Sequence, residues 1–210
     1  VYKGRKLIDG SYFQGFRAPT DNDRSFGNWL AKDWSKNRVD SPEVKCESLS
    51  FKDIDGIVTV SAVQKYSYEA GSIKVASTYK VYGDGSVDLE QSYTPEGTLP
   101  ELPRLGISIM ADKSLDNVSW YGYGPMENYP DRHEAVGIGR WSGRVADMYT
   151  HYPRPQDSGN LESVAEISIE GKNGYGIRVD ALDKPISASA LPYSATDIAS
   201  VTHDLSLIHI

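Results

Sequence analysis

Apolar and polar side chains alternate with a period of two through residues 57–68 (IVTVSAVQKYSY), 72–82 (SIKVASTYKVY) and 86–93 (SVDLEQSY), all rich in β-branched and aromatic residues. Asp55-Gly56, Ala70-Gly71 and Gly83-Asp84-Gly85 punctuate these runs. An Asp-Gly pair between alternating stretches is a hairpin signal, so residues 44–93 are predicted to form three or four consecutive antiparallel strands. Further strands are predicted at 104–110, 118–121, 164–170, 175–181 and 186–190. Helical spacing is scarce. Trp29, Leu30 and Trp34 suit a helix over 28–37 capped by Asn28, and Ser194 is a plausible cap for a short helix over 195–203. The Pro-rich stretch 94–103 reads as a connection between sheets, and 122–160 as a long loop crowded with Tyr, Arg, Asp, Pro and Gly. Many strands with few helices predict an all-β antiparallel sandwich. No composition shift marks a linker, so a single domain over 1–204 is expected.

Composition narrows the partners. The 210 residues are 39% hydrophobic with 14 Tyr and 4 Trp, enough to build a core. Lys and Arg total 22 against 29 acids, a net charge of -7 that disfavours nucleic acid and anionic lipid. No apolar run approaches the roughly 20 residues that cross a bilayer. Cys46 is the lone cysteine, so no internal disulfide forms; its alternating surroundings predict a half-buried structural thiol. The first residues look like the middle of a longer chain. The apolar tail at 205–210 is expected to mark a truncation or a segment foreign to the gene.

Four stretches carry more chemistry than strands or turns need. In Phe16-Arg17-Ala18-Pro19-Thr20-Asp21-Asn22-Asp23, three short polar side chains share one turn. They suit a cation or sugar hydroxyls, or equally an Asx-turn network capping the next helix. In the stretch 120–132 (WYGYGPMENYPDR) aromatic rings alternate with hydrogen-bonding groups. That mixture suits a sugar, with its apolar faces and hydroxylated rim, or a buried carboxylate–arginine network bracing a loop through Arg132. Asp147-Met148-Tyr149 with the stretch 152–160 (YPRPQDSGN), where two prolines flank Arg154, and Ser189-Ala190-Leu191-Pro192-Tyr193-Ser194 both have an ordinary structural reading as Pro-bounded turns. The four histidines, His133, His151, His203 and His209, lack metal-binding spacing, and no nucleophile elbow, dinucleotide motif or phosphate loop is present.

Taken in this order, these stretches resemble the C-terminal small-chain domain of family 2 β-galactosidases, a domain with a galactose-mutarotase-like fold. Residues 17–23 match its RAPTDND signature and 122–132 its G-x-G-P-x-E-N-Y-P-D-R; the later motifs follow at the expected places, over about residues 2–204. The resemblance implies an all-β antiparallel supersandwich with one or two short helices, here incomplete at its C-terminal end, packed on a (β/α)₈ barrel of the same polypeptide. That barrel holds both catalytic glutamates of a retaining mechanism, so no catalytic residue is expected in this chain. The divalent and monovalent cations that the family uses are expected at the barrel, and none in this chain. A substrate-contacting Trp belongs to a later G-G-D-x-S-W segment, and Trp29, Trp34, Trp120 and Trp141 are not its equivalents.

Asp21, Asn22, Asp23 and Gly27 are accordingly expected at the rim of the substrate site, with Gly27 giving hinge freedom to the loop Arg24-Ser25-Phe26-Gly27. Glu127, Asn128, Asp131, Arg132, Arg154 and Gln156 are expected to brace it. One departure stands out: the family commonly reads P-Q-E-N-G-N where this chain has Pro155-Gln156-Asp157-Ser158-Gly159-Asn160. The implied partners are the barrel, a terminal β-galactoside and further copies in a homo-oligomer; nucleic acid and membrane are not expected. Two other readings compete. One is a free-standing carbohydrate-binding or aldose-mutarotase-like protein using His133, His151 or Glu127 as acid and base. The other is a purely structural domain.

Overall fold

The Asp55-Gly56 pair adopts positive φ at both residues, 53° and 80°, as a two-residue type I′ turn requires. In the computed structural model, which describes residues 2–25, 27 and 29–209 (the last two by backbone alone), this turn joins β2 (Glu43–Ile54) to β3 (Ile57–Ser67). The meander continues through β4 (Gly71–Val81) and β5 (Val87–Gly97), in the sheet order β2-β3-β4-β5. Its register puts Leu49, Phe51, Val60, Tyr66, Val75, Tyr79, Leu89 and Tyr93 on one face. Ser50, Lys52, Thr59, Ser61, Lys65, Lys74, Thr78 and Glu96 lie on the other. The period of two is therefore a division between an apolar and a polar face.

The chain gathers into two compact units, one of Phe13–Phe16 and Asp21–Ile107, the other of Val1–Tyr12, Arg17–Thr20 and Ser108–Ile210. In the meander's unit the core is Phe13, Tyr66, Ile73 and Val75, with Tyr93, Leu99 and Leu102 against it. Phe13 meets Tyr66 edge-on, ring centroids 5.0 Å apart. Two short helices belong here, α1 (Asp21–Arg24) and α2 (Leu30–Lys36). Trp34 of α2 is buried and donates from Nε1 to the carbonyl of Glu101 at 2.7 Å. The residue preceding α2 is Trp29, at φ 52° and without a side-chain cap; the expected cap Asn28 lies outside the described residues.

The other unit holds a four-stranded sheet in the order β11-β10-β7-β8, made from β7 (Leu115–Gly124), β8 (Gly137–Arg144), β10 (Glu166–Gly171) and β11 (Gly176–Asp180). A second pair joins β9 (Leu161–Val164) to β12 (Ile186–Ala188). A further pair joins β1 (Ile8–Gln14) to β6 (Gly106–Ala111), of which Ile8–Tyr12 and Ser108–Ala111 belong to this unit. Val118, Trp120 and Ile167 pack on Leu161, Val164 and Ala190. A satellite core unites Ala18, Tyr149, Ile198 of α3 (Ala195–Ser200) and Leu207, which the 3₁₀ turn over Asp204–His209 carries inward. This is the antiparallel all-β architecture that the patterning predicts, with three short α-helices among the described residues.

Four local expectations change. The connection at 94–103 begins later, because β5 runs on to Gly97 with Pro95 paired to Ile73; β5 is an edge strand, where a missing N–H is tolerated. The stretch 122–160 is not all loop. It contains the end of β7, all of β8 and a 3₁₀ turn over Val145–Met148. Glycines hid β8, and the Trp141 ring fills space beside them: a Cβ would lie 3.1 Å from the ring on Gly139 of β8 and 2.5 Å from it on Gly124 of the neighbouring β7. The single strand expected at 164–170 is two, with Ser163 at φ 54° beside the break. Cys46 is exposed rather than half-buried, because it sits on an edge strand with no residue buried along its length.

Ser194 caps α3 as expected, in a reciprocal capping box: its Oγ accepts from the Asp197 N–H at 3.1 Å, and the Asp197 carboxylate accepts from the Ser194 N–H at 3.0 Å. Ser194→Ala is expected to cost about 1 kcal/mol, read as a lower urea midpoint with an unchanged slope. An unmoved midpoint would show that packing of Ile198 alone holds the helix.

Candidate functional site

The loop between β7 and β8 turns inward at Glu127. Its side chain is only 9% exposed, and both carboxylate oxygens are occupied. Oε1 accepts from Arg132 Nη2 at 2.6 Å and from the Tyr152 hydroxyl at 2.5 Å. Oε2 accepts from the Gly159 N–H at 2.8 Å and from the Tyr129 hydroxyl at 3.4 Å. Four donors from two stretches of chain thus converge on one carboxylate. The Arg132 guanidinium also lies over the Tyr129 ring, 5.4 Å from its centroid.

Asn128 is fully buried and welds the same two loops together. Its backbone N–H donates to the carbonyl of Asn160 at 2.8 Å, and Asn160 Nδ2 donates back to the Asn128 carbonyl at 2.8 Å. Asn128 Oδ1 accepts from the Glu162 N–H at 2.8 Å, and its Nδ2 donates to the Met126 carbonyl at 2.9 Å. Glu162 Oε1 accepts from Asn160 and from Ser187 Oγ, each at 2.6 Å, which extends the network to β12. Such satisfaction is what makes a buried amide tolerable.

The remaining predicted residues are placed differently. The Asp157 N–H donates to the Ala18 carbonyl at 3.3 Å, so this loop also holds the opening of the RAPTDND stretch. The shorter Asp157 is buried there. From Asp21 the stretch becomes α1, with Asp21 and Asn22 exposed and Asp23 buried. Ser25 Oγ donates to the Asp21 carbonyl at 2.7 Å, and Arg24 Nη1 lies 3.7 Å from Asp21. Phe26 lies outside the described residues. Gly27 is exposed at φ 86°, where an added Cβ would meet open space, so the backbone angle and not crowding is what asks for glycine. Pro155 is fully buried and anchors its loop, while Arg154 beside it is exposed, Gln156 is half-buried and Asp131 is exposed.

Electrostatics decide what Glu127 can do. Burial pushes its pKa up, but hydrogen bonds from Tyr152, Gly159 and Arg132, with the Arg132 charge, outweigh this and hold it below the usual glutamate range. The Tyr129 and Tyr152 hydroxyls are raised, first by burial and then by the neighbouring carboxylates, so they stay protonated donors. Glu127 is therefore an ionised acceptor with no proton to give, unlike a general acid, whose pKa must be raised. A depressed carboxylate stabilises the fold above its unfolded pKa and loses that contribution as pH falls through the native value. Stability should fall on acidification below the ordinary glutamate pKa of about 4.3. Glu127→Gln should flatten that fall, read as urea midpoints from neutral pH downward; equal acid slopes for both proteins would contradict it.

The sequence reading names neither Tyr152, Gly159 nor Asn160 as site residues, although they complete the Glu127–Asn128 network. The available signal was the clustering of Asp157-Ser158-Gly159-Asn160 after a Pro-bounded Arg. Of the histidines, His133 stacks on Tyr123 at 4.8 Å, and His151 Nδ1 pairs with Asp204 Oδ2 at 2.8 Å. Among the described residues no three His, Cys, Asp or Glu side chains are grouped to hold a metal ion.

Residues 1–209 match the family described as beta galactosidase small chain. The chain is 32% identical over 203 residues to a beta-galactosidase of Priestia megaterium, a match covering 96% of this chain and 19% of that protein. It is 29% identical over 216 residues to a beta-galactosidase of Halalkalibacterium halodurans, covering 98% and 20%. With beta-galactosidase BgaC of Bifidobacterium adolescentis it shares 34% identity over 196 residues, covering 90% and 18%. The chain thus spans about a fifth of the length of these curated relatives.

Proposed function

The chain belongs to the β-galactosidase small-chain family, and from that premise we propose that it is an accessory part of a longer β-galactosidase polypeptide that hydrolyses terminal β-D-galactosides. The observation that carries this reading is the asymmetry of coverage: the matches take in 96–98% of this chain but only 19–20% of the first two relatives. The acid/base and nucleophile of a retaining mechanism belong, on this reading, to a barrel elsewhere in that polypeptide, as do the ligands of any cation it uses. The contribution of this chain is a wall at the mouth of the site. Exposed Asp21 and Asn22 and the positive-φ Gly27 form its rim. The buried Glu127–Asn128 network fixes the loops of its own unit, and it is a brace because its carboxylate is saturated by donors.

Residues 1–210 alone are expected to leave a chromogenic galactoside unhydrolysed; turnover by the purified chain would end this reading. In the longer enzyme, Asp21→Ala with Asn22→Ala is expected to change KM or kcat at an unchanged melting temperature. A loss of stability with unchanged kinetics would make the turn structural.

A further inference from the structure

Register divides the side chains of the sheet β11-β10-β7-β8 between two faces. Val118, Trp120 and Ile167 point into the core, so the residues between them on each strand make up the opposite face. There the side chains fall into rows that run across the strands. Arg140, Tyr121, Glu166 and Asp180 form one row. Ser142, Ser119, Ser168 and Arg178 form the next, and Arg144, Asn117 and Glu170 the one after. Successive rows lie about 7 Å apart, two residues along a strand. Three serines between two rows of longer side chains leave a trough. A groove of about 450 Å³ opens there, lined by Asn117, Ser119, Ser142, Arg144, Asp147 and Glu170 along with Val118 and Gly143. All of these residues belong to the one unit that contains Ser108–Ile210.

We propose that this groove binds a neutral oligosaccharide, with the serine row as its floor and the flanking rows as its walls. Charge favours a neutral ligand: Arg140, Arg144 and Arg178 offset the carboxylates of Glu166, Glu170, Asp147 and Asp180 almost one for one, which leaves little field for an ion. Hydrogen-bonding capacity favours a polyol. Arginine only donates, a carboxylate only accepts and a serine hydroxyl does both, which is the mixture that sugar hydroxyls require. Among the described residues the hydroxyls of Ser119, Ser142 and Ser168 have no protein partner, so all three are open to a ligand. One wall is already fixed: Glu166 accepts from Arg140 and, at 3.0 Å, from Arg178, and the Arg140 guanidinium lies over the Tyr121 ring, 5.3 Å from its centroid. Side chains held in place before binding lower the cost of ordering them. Length decides the size of the ligand. Three serine-bearing strands spaced about 4.8 Å apart span roughly 10 Å, room for two linked pyranose rings.

A lactose derivative carrying a photoreactive diazirine tests this on the longer polypeptide, with the labelled peptides identified by mass spectrometry. Label is expected on the peptides of β7, β8 and β10 that bear the serine row, and excess lactose is expected to remove it. Ser142→Leu fills the floor and is expected to lower that label at least tenfold, while kcat and KM for a chromogenic galactoside stay unchanged. Glu170→Gln keeps the shape of the wall and removes a charged acceptor, so a severalfold loss of label is expected there without any strain on the sheet. No label on these strands, label that lactose does not displace, or label unmoved by both substitutions would overturn the proposal. Displacement by galacturonate at a lower concentration than by galactose would assign the groove to an anion and overturn it equally. Galactoside hydrolysis is followed in the same samples. Label on the serine row without hydrolysis would keep the groove and remove the catalytic reading, whereas hydrolysis without label would do the reverse.

Discussion

Glu127→Ala is expected to cost several kcal/mol, roughly 2–4, and to unfold the loops of the Glu127–Asn128 network before the strands of the sheet. The magnitude follows from what the substitution strands. Arg132 is 53% exposed and finds water easily, so its lost ion pair contributes least. The Gly159 N–H is buried and loses its acceptor at 2.8 Å, while the half-buried Tyr152 hydroxyl loses one at 2.5 Å. Each buried donor left unsatisfied costs about 1–3 kcal/mol. Against a typical total of about 5–15 kcal/mol this is a large fraction. Urea unfolding gives the total, and hydrogen exchange at Asn128, Gly159 and Glu162 gives the order of events. A change under about 0.5 kcal/mol, the ordinary range for a surface substitution, would show that the network is not a brace.

Gly159→Ala is expected to be comparably damaging for a different reason. Gly159 has φ 68°, and a Cβ there would lie 2.5 Å from the Met148 carbonyl oxygen and 2.8 Å from Leu191. The left-handed conformation costs an L residue about 1 kcal/mol, and the backbone displacement adds about 1–3 kcal/mol. Moving this backbone also withdraws the N–H from Glu127, so the two substitutions share a cause. Their combined cost should therefore fall short of the sum by more than about 0.5 kcal/mol in a double-mutant cycle. Strict additivity would mean that Gly159 acts through Met148 and Leu191 alone.

The strand meander and its hairpin were legible because their determinants are local: a period of two, and an Asp-Gly pair able to take positive φ at both positions. The capping box at Ser194 was legible for the same reason. β8 was not, since its packing depends on the Trp141 ring crossing glycines of β7, a neighbour that sequence spacing does not identify. The candidate site divides in the same way. The composition of residues 120–132 and 152–160 marked both stretches as unusual, and left open whether their polar groups face a sugar or each other.

That choice belonged to the tertiary structure. Whether a carboxylate is a reactive group or a strut depends on how many donors reach it and how much water is excluded, and the donors to Glu127 come from positions up to 32 residues away. The sequence by itself determined which segments alternate, where they turn and which residues can cap or take positive φ. Only folding decided which carboxylate is saturated, because burial and convergence are properties of distant segments brought together.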